Sequence, residues 1–500
     1  MTEGYPHNWE KWPLAEVGEW LGGGTPSSTN ADFWNGHIPW VSPKDMKANE
    51  ITTSQDNITQ AALDNSAAKL IPAHSVLFVT RSGILSHSFP VAINQVAVTV
   101  NQDLKAITPV EVIEPQYLTW LLRSYERQIL STCSKHGTTV HSIEMPALKA
   151  LKVPIPPIGE QRRIVAKIEE LFSELDKGVE ALTTAREQLI AYRQSVLQHA
   201  FEGKLTEEWR RINPLVVSNK FLEDIQTGRR SRKKKAPSSR SEKREEALFP
   251  QVPGEWVVDY LGDLNVEVFD GPFGSNLKTS DYVKTGVRVI RLENIGYGHF
   301  IDEKRSFVSE EKYEAIQKHT VVPGDIVFSS FVIDAIRSAL VPRNISFAVN
   351  KADCFGVRFF GDTINPKFIQ FFFQSHNAFK QIEGMIHGVG RPRINTTQLK
   401  EMSVPICSPA EQAIIIERLE SIFSDSDSFA SALDTGLAQI SALRQSILKQ
   451  AFSGQLVAHD PTDEPASELL KRIRTERAKA SANKAERKTK KIRKEKETAR

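Results

Sequence analysis

The chain has 500 residues, with 64 lysines and arginines against 61 aspartates and glutamates, a net charge of +3 and 40% hydrophobic side chains. That is apolar material for about three or four domains, which excludes a disordered or fibrous chain. Bulk charge does not establish nucleic-acid binding, so any such surface must be a local patch. No apolar run of about 18 residues occurs and Met1–Glu10 is polar, so neither a membrane span nor a signal peptide is expected. Cys133, Cys354 and Cys407 lie far apart without CxxC or paired-histidine spacing, which fits a reducing, cytoplasmic compartment and argues against structural zinc.

The positive charge is uneven. Each half is mildly acidic, about −4, whereas Gly228–Arg244 carries about +8 and Lys471–Arg500 about +10. These basic runs read as a solvated linker and tail, or as arms that help grip phosphates.

In chain order, the sequence opens on an aromatic-rich start, "NWEKWPLAEVGEW", followed by a glycine-rich loop at Leu21–Ser28. Strand-like runs follow at Ile38–Met46 and Ile71–Gly83, rich in β-branched and aromatic residues and broken by Gly, Pro and Asn. Trp34 and Trp40 read as core aromatics of such strands rather than stacking platforms. A helical segment at Pro115–Leu130 completes an α+β globule of about 150 residues. His136 and His141 share a short loop without a third ligand, so no metal is expected there.

Pro154, Pro156 and Pro157 close the globule, and a long helix-period stretch begins. Its apolar or small residues are Ile168, Leu171, Leu175, Gly178, Leu182, Ala185, Leu189, Tyr192 and Val196, a spacing of alternating threes and fours. That is a heptad seam.

The chain then repeats. "VPIPPIGEQ" at Val153–Gln161 returns as "VPICSPAEQ" at Val404–Gln412, and "AYRQSVLQHAFEGKL" at Ala191–Leu205 as "ALRQSILKQAFSGQL" at Ala442–Leu456, both offset by 251 residues. Roughly 70 positions from Gly137 and Gly388 align without a gap, with about 27 identities. The earlier elements recur too: "PGEWVVDYLGDL", the loop Asp270–Asn276, the strand run Val287–Ile295, and Val322–Asp334 matching Ile71–Gly83. The second seam reads Leu419, Ile422, Ser426, Phe429, Leu433, Gly436, Ile440, Leu443 and Ile447. Each helix of about 40 residues would be roughly 60 Å long. Two duplicated seams favour packing on each other, although Gly178, Ser426 and Gly436 could not hold an isolated coiled coil.

Carrying both block pairs, together with "FGSNLKTSDYVKTGVRVIRLENI" and "GTTVHSIEMPALKALKVPIPP", the chain resembles the specificity subunit of a type I restriction-modification system. The resemblance covers nearly the whole chain; the second copy departs from it at Cys407–Ser408, where the first has Pro156–Pro157. It implies an α+β fold with two target-recognition domains in tandem, each followed by a long conserved helix. The two helices would pair as an antiparallel coiled coil with pseudo-twofold symmetry. The implied boundaries are 1–156 and 251–407 for the recognition domains, 157–205 and 408–457 for the spacer helices, 206–250 for a basic linker and 458–500 for a basic, possibly helical tail. Double-stranded DNA, two methyltransferase subunits and restriction-translocase subunits would be the partners in a bacterial or archaeal cytoplasm, with no membrane. This chain would be non-catalytic and bind no cofactor; S-adenosylmethionine, ATP and Mg would sit on the partners.

Arg or Lys reads guanine best and Asn or Gln adenine, with Ser and Thr assisting. The candidate readers in the first domain are Lys44, Arg81, Ser82, Lys135, Thr138 and Thr139. In the second they are Asn276, Lys278, Arg291, Asn294, Arg337, Arg391 and Arg393. The helix-pairing candidates are Leu171, Leu175, Leu182, Leu189, Ile422, Phe429, Leu433 and Ile440. A rival reading is a stand-alone DNA methyltransferase or nuclease with built-in recognition domains, but neither a base-gripping Asn/Asp-Pro-Pro-aromatic motif nor GxxxxGK[ST] occurs. A protein-only scaffold would leave the two globules without a task.

Overall fold

The computed structural model describes residues 5–135, 140–214, 249, 252–274, 276–386 and 392–475. Thr138, Thr139, Arg391, most of the basic linker and the tail beyond residue 475 lie outside the described residues, and the described start of the linker is the short helix Glu207–Ile212. Two compact units divide the chain, Met1–Leu182 with Thr435–Arg500, and Thr183–Asp434. Each holds one globule and a part of each long helix, Ile158–Phe201 and Pro409–Phe452.

In the first unit, a five-stranded sheet runs in the order Gly18–Gly22, Leu104–Pro109, Val76–Val79, Val91–Asn94 and Glu50–Ile51. Val76–Val79 is buried along its whole length, as a continuous apolar run demands. A second, three-stranded sheet joins Asp56–Ile58, Trp34–Val41 and Thr99–Val100. Trp34 and Trp40 pack edge to face there, with ring centres 5.2 Å apart. Glu10–Pro13 pairs antiparallel with Lys152–Ile155, so the start of the globule is stapled to its end.

The second unit repeats this plan. A four-stranded sheet orders Val266–Phe269, Cys354–Phe359, Ile326–Ser329 and Ser338–Leu340. A five-stranded one orders Tyr282–Val283, Ser306–Val308, Val287–Ile290, Ala348–Asn350 and Thr320–Val321. The staple is Val257–Tyr260 against Ser403–Ile406.

Each long helix is 44 residues, about 66 Å at the usual rise. Both stop at a glycine in the left-handed region, Gly203 (φ 73°) and Gly454 (φ 77°), where a Cβ would be strained. Within the first unit Arg444 pairs with Asp176; within the second, Arg186 lies 3.5 Å from Asp434 and Arg193 2.7 Å from Asp427. Numbers rise on one helix as they fall on the other, so the helices run antiparallel. The glycines that look weak for a seam receive large neighbours: Gly178 stands against Ile440 and Gly436 against Leu182.

The seam itself is interrupted at three of its heptad positions. Leu171, Leu175, Leu182, Leu189, Ile422 and Ile440 are half-buried and Leu433 buried, but Phe429 is 50% exposed, and so are Tyr192 (52%) and Leu443 (49%). Ala430, Arg193 and Arg444 take the inward places. These are local interruptions of the seam and not a cumulative drift, because Leu433, Gly436, Ile440 and Ile447 beyond Phe429, and Val196 beyond Tyr192, still face inward. The arginine stems then lie over aromatic rings, Arg193 4.5 Å from Phe423 and Arg444 5.4 Å from Phe172.

A buried Glu–Gln pair anchors the start of each long helix. Gln161 accepts from the Glu114 amide (2.8 Å) and donates to the Val112 (3.0 Å) and Pro156 (2.9 Å) carbonyls. Gln412 does the same with Asn365, Thr363 and Cys407, each partner 251 residues on. Glu160 accepts from Trp9 (3.0 Å) and lies 2.7 Å from His459 Nδ1. Glu411 accepts from Trp256 (3.1 Å), Thr206 (2.6 Å) and Arg210 (2.6 Å). All four carboxamide and carboxylate side chains are fully buried. Breaking such a buried, paired carboxylate costs about 3 kcal/mol or more. Glu411→Ala is therefore expected to lower the calorimetric transition of the second unit markedly; an unchanged transition would show that the anchor carries little stability.

Candidate nucleic-acid interface

In the first unit a small sheet brings distant sequence together. Its strands are Ser134–Lys135, His141–Ile143 and Arg81–Ser82, in that order. Lys135 is opposite Ser142 and Ser142 opposite Arg81, so the three form a row across one face. Strand spacing puts the backbones of Lys135 and Arg81 about 10 Å apart. Arg81 is exposed, and its guanidinium has no partner among the described residues. Lys135 is ion-paired with Glu144 at 2.9 Å, a weak exposed contact. Ser82 turns its hydroxyl back to the Ile84 amide at 3.4 Å. Lys44 stands apart on an exposed turn, which Asp45 ties down by accepting from the Ser42 amide (2.8 Å) and hydroxyl (2.9 Å).

The second unit builds the matching place differently. Phe331 bridges to Arg393, and the backbone bonds around them repeat those of the first unit. Thr80 donates its amide to Asp103 as Ser330 does to Asp353, and Ile143 donates to Thr80 as Ile394 does to Ser330. Arg393 thus matches Ser142 at the 251 offset, while Phe331 matches Arg81 one residue short of it. Each unit carries an arginine here, but on opposite strands of the pair.

The other predicted readers of the second unit fare unequally. Asn294 is 1% exposed and belongs to the framework: it accepts from the Arg291 amide (3.0 Å) and donates to the carbonyls of Ile301 (2.9 Å) and Lys304 (2.8 Å). An asparagine in "RLEN" looks like an adenine reader, but the three-residue turn Leu292–Asn294 consumes its amide. Arg337 is half-buried and bonded to the Leu292 carbonyl (3.3 Å) and the Ser329 hydroxyl (3.1 Å). Arg291 lies 3.3 Å from Glu293 and 5.7 Å from the Tyr282 ring. Asn276 and Lys278 are exposed in the turns before Thr279–Asp281. There Asp281 accepts from the Lys278 amide at 2.7 Å, and that bond, with Lys312 3.1 Å away, holds its carboxyl below the usual range.

Three residues of these two places escape sequence reasoning: Ser142 in the first unit, and Phe331 and Asp353 in the second. Ser142 sits inside the quoted block "GTTVHSIEM" but is inconspicuous as a lone serine. Phe331 and Asp353 become candidates only because the fold sets them beside Arg393. Beside them a cavity of about 410 Å³ is lined by Leu292, Tyr297, His299, Phe331, Ile333 and Arg337.

Residues 6–183 match the family described as type I restriction modification DNA specificity domain. The chain is 40% identical over 188 residues to the EcoR124I/EcoR124II specificity subunit of Escherichia coli, covering 37% of this chain and 46% of that relative. It is 24% identical over 368 residues to the EcoKI specificity subunit of Escherichia coli (strain K12), covering 70% of this chain and 69% of the relative. The fold matches, at a TM-score of 0.66 and 17% identity, a solved chain from work on complex assembly and conformational transition of the type I R-M system, over 91% of this chain and 100% of that one. Over these stretches the chain is similar to specificity subunits of type I restriction-modification systems, and it spans less than half the length of the EcoR124I/EcoR124II relative. Among the described residues no helix is long and apolar enough to cross a membrane.

Since Asn294 is framework, Asn294→Ala is expected to destabilise the second unit by about 1–3 kcal/mol, from buried carbonyls left without donors. Any DNA sequence the protein selects should stay the same; an altered selection would return Asn294 to the candidate readers.

Proposed function

We propose that this chain is the non-catalytic addressing subunit of a type I restriction-modification complex. Each globule reads one half of a bipartite, asymmetric duplex target. The antiparallel helix pair sets the gap between the halves and docks two methyltransferase subunits. S-adenosylmethionine would belong to those subunits, and ATP and Mg to restriction-translocase subunits, all in a bacterial or archaeal cytoplasm. The carrying observation is that one framework is built twice, down to the bonds of Gln161 and Gln412, while the loops that the framework presents differ.

The candidate readers under this proposal are Lys44, Arg81, Ser82, Lys135, Thr138 and Thr139 in the first unit. In the second they are Asn276, Lys278, Arg291, Arg391 and Arg393, with Arg337 held in reserve by its framework bonds. Exposed apolar side chains on the helices, Ile190, Tyr192, Phe429 and Leu443, suit the docking of a partner protein.

A methylation map of DNA from cells co-expressing the chain with its cognate methyltransferase subunit tests the proposal. The expected result is a bipartite motif with N6-methyladenine in each half and a fixed gap; a continuous motif would refute it. Inserting four residues, about one helical turn, near Ala181 is expected to lengthen the gap and leave both half-sites unchanged. Altered half-sites at constant gap would rule out the spacer role. Lys135→Ala should weaken binding evenly across sequences and reduce the log–log salt slope by about 0.9 if Lys135 contacts a phosphate. An unaltered slope would remove it from the interface.

A further inference from the structure

Arg393 is built into the surface more firmly than a solvent-exposed arginine usually is. Its backbone is clamped on both sides: the Val332 amide donates to the Pro392 carbonyl (3.3 Å) and the Ile394 amide to the Ser330 carbonyl (3.0 Å). Its guanidinium lies 4.8 Å from the centre of the Phe331 ring, a cation–π contact that limits its rotamers. Nη1 reaches Asp353 Oδ1 at 3.5 Å, the long end of hydrogen bonding, and the other guanidinium N–H groups have no partner among the described residues. Nearly half of the side chain is exposed.

Asp353 is itself fixed. It occupies the left-handed region at φ 69°, a conformation that costs energy for any residue but glycine and is tolerated best by Asn and Asp. Its carboxylate accepts from the Ser330 hydroxyl (3.3 Å), its carbonyl from the Ser330 amide (2.9 Å), and its amide donates to Asp270 (3.2 Å). A carboxylate held on a face that should meet phosphates is unfavourable unless it has a specific task. Among the described residues of the first unit this device is not repeated: Asp103, the counterpart of Asp353, spends its carboxylate on the Asn101 amide group at 3.3 Å.

We propose that Arg393, oriented by Asp353 and Phe331, reads a guanine through the major groove in the half-site of the second unit. This rests on the DNA-reading function proposed above and adds the base, the groove and the positioning residues. A guanine offers two acceptors, O6 and N7, on its major-groove edge, and a pre-oriented guanidinium fork matches both at little entropic cost. Asp353 leaves part of the fork free, cancels the charge that would otherwise draw Arg393 to any phosphate, and so favours base over backbone contact.

The test uses the full chain co-purified with its methyltransferase partner, and duplexes carrying the mapped target. Each guanine is replaced singly by 7-deazaguanine, which lacks N7, or by inosine, which lacks only the minor-groove amino group. At one guanine the 7-deaza change is expected to weaken binding roughly tenfold and inosine less than about twofold. Arg393→Ala should erase that penalty at that guanine alone. Asp353→Asn keeps the left-handed turn and the bond from Ser330, so the melting temperature should hold while the penalty falls to about twofold. A wild-type complex indifferent to every 7-deazaguanine would overturn the proposal, as would a penalty that survives Arg393→Ala. Uniform loss of affinity in Arg393→Ala would mark a phosphate contact and overturn it as well. If Asp353→Asn leaves the penalty intact, Asp353 is not a positioning residue and the oriented reader fails. Absence of any sequence-specific complex would instead fell the DNA-reading function, and this proposal with it.

Discussion

Everything in this chain is hung on the buried Glu–Gln pairs that open the two long helices. A carboxamide in a protein interior must have its donors and acceptor satisfied or it destabilises the fold. Gln161 and Gln412 meet that demand with backbone groups only, two from the loop ahead of a globular helix and one from the turn before their own helix. The direction in which each helix leaves its globule is thereby fixed by three directional bonds rather than by hydrophobic contact, which has no direction. Glu160 and Glu411 extend the anchor to other segments: His459 in the first unit, Thr206 and Arg210 in the second.

The far ends of the helices complete each unit. Phe452 packs against Tyr117, ring centres 5.4 Å apart, and Phe201 against Phe368 at 5.1 Å. Each globule therefore holds the start of one long helix and the end of the other. Between these points the antiparallel contact needs little intrinsic strength. Gly178 and Gly436 are poor residues for a free coiled coil, yet they leave room for Ile440 and Leu182. Arg193 and Arg444 cover Phe423 and Phe172 while their charges reach Asp427 and Asp176. The long arginine stem does the work of an apolar seam residue and keeps its head in water.

On this shared framework the loops are free to differ. The amide bonds that hold Arg81 opposite Ser142 also hold Phe331 opposite Arg393, so the exchange of side chains disturbs no backbone bond. In the function proposed, this separation of rigid support from variable surface would let one fold address different sequences. Charge follows the same division. The globules are mildly acidic overall, so in the function proposed their attraction to DNA would come from placed arginines and lysines, and a misplaced duplex would meet carboxylates such as Asp353 and Glu144.

The sequence by itself determined the duplication, the α+β globules, the long helices and their approximate seam. Repeats and periodicity are properties of the chain order, and the residues that build these elements are neighbours in it. It also marked Arg81, Lys135 and Arg393 as polar side chains in loops. It could not tell a loop asparagine that reads from one that closes a turn, and Asn294 looked like the former because its three bonds reach residues up to ten positions away. Nor did it show that Phe429 faces outward between the buried Ser426 and Leu433, since a heptad count carries no information about which neighbouring side chain covers the local gap. Only the tertiary structure set Phe331 and Asp353 beside Arg393, and Arg81 beside Lys135. Strand pairing joins segments tens of residues apart, and its register depends on packing across the whole globule rather than on any local pattern.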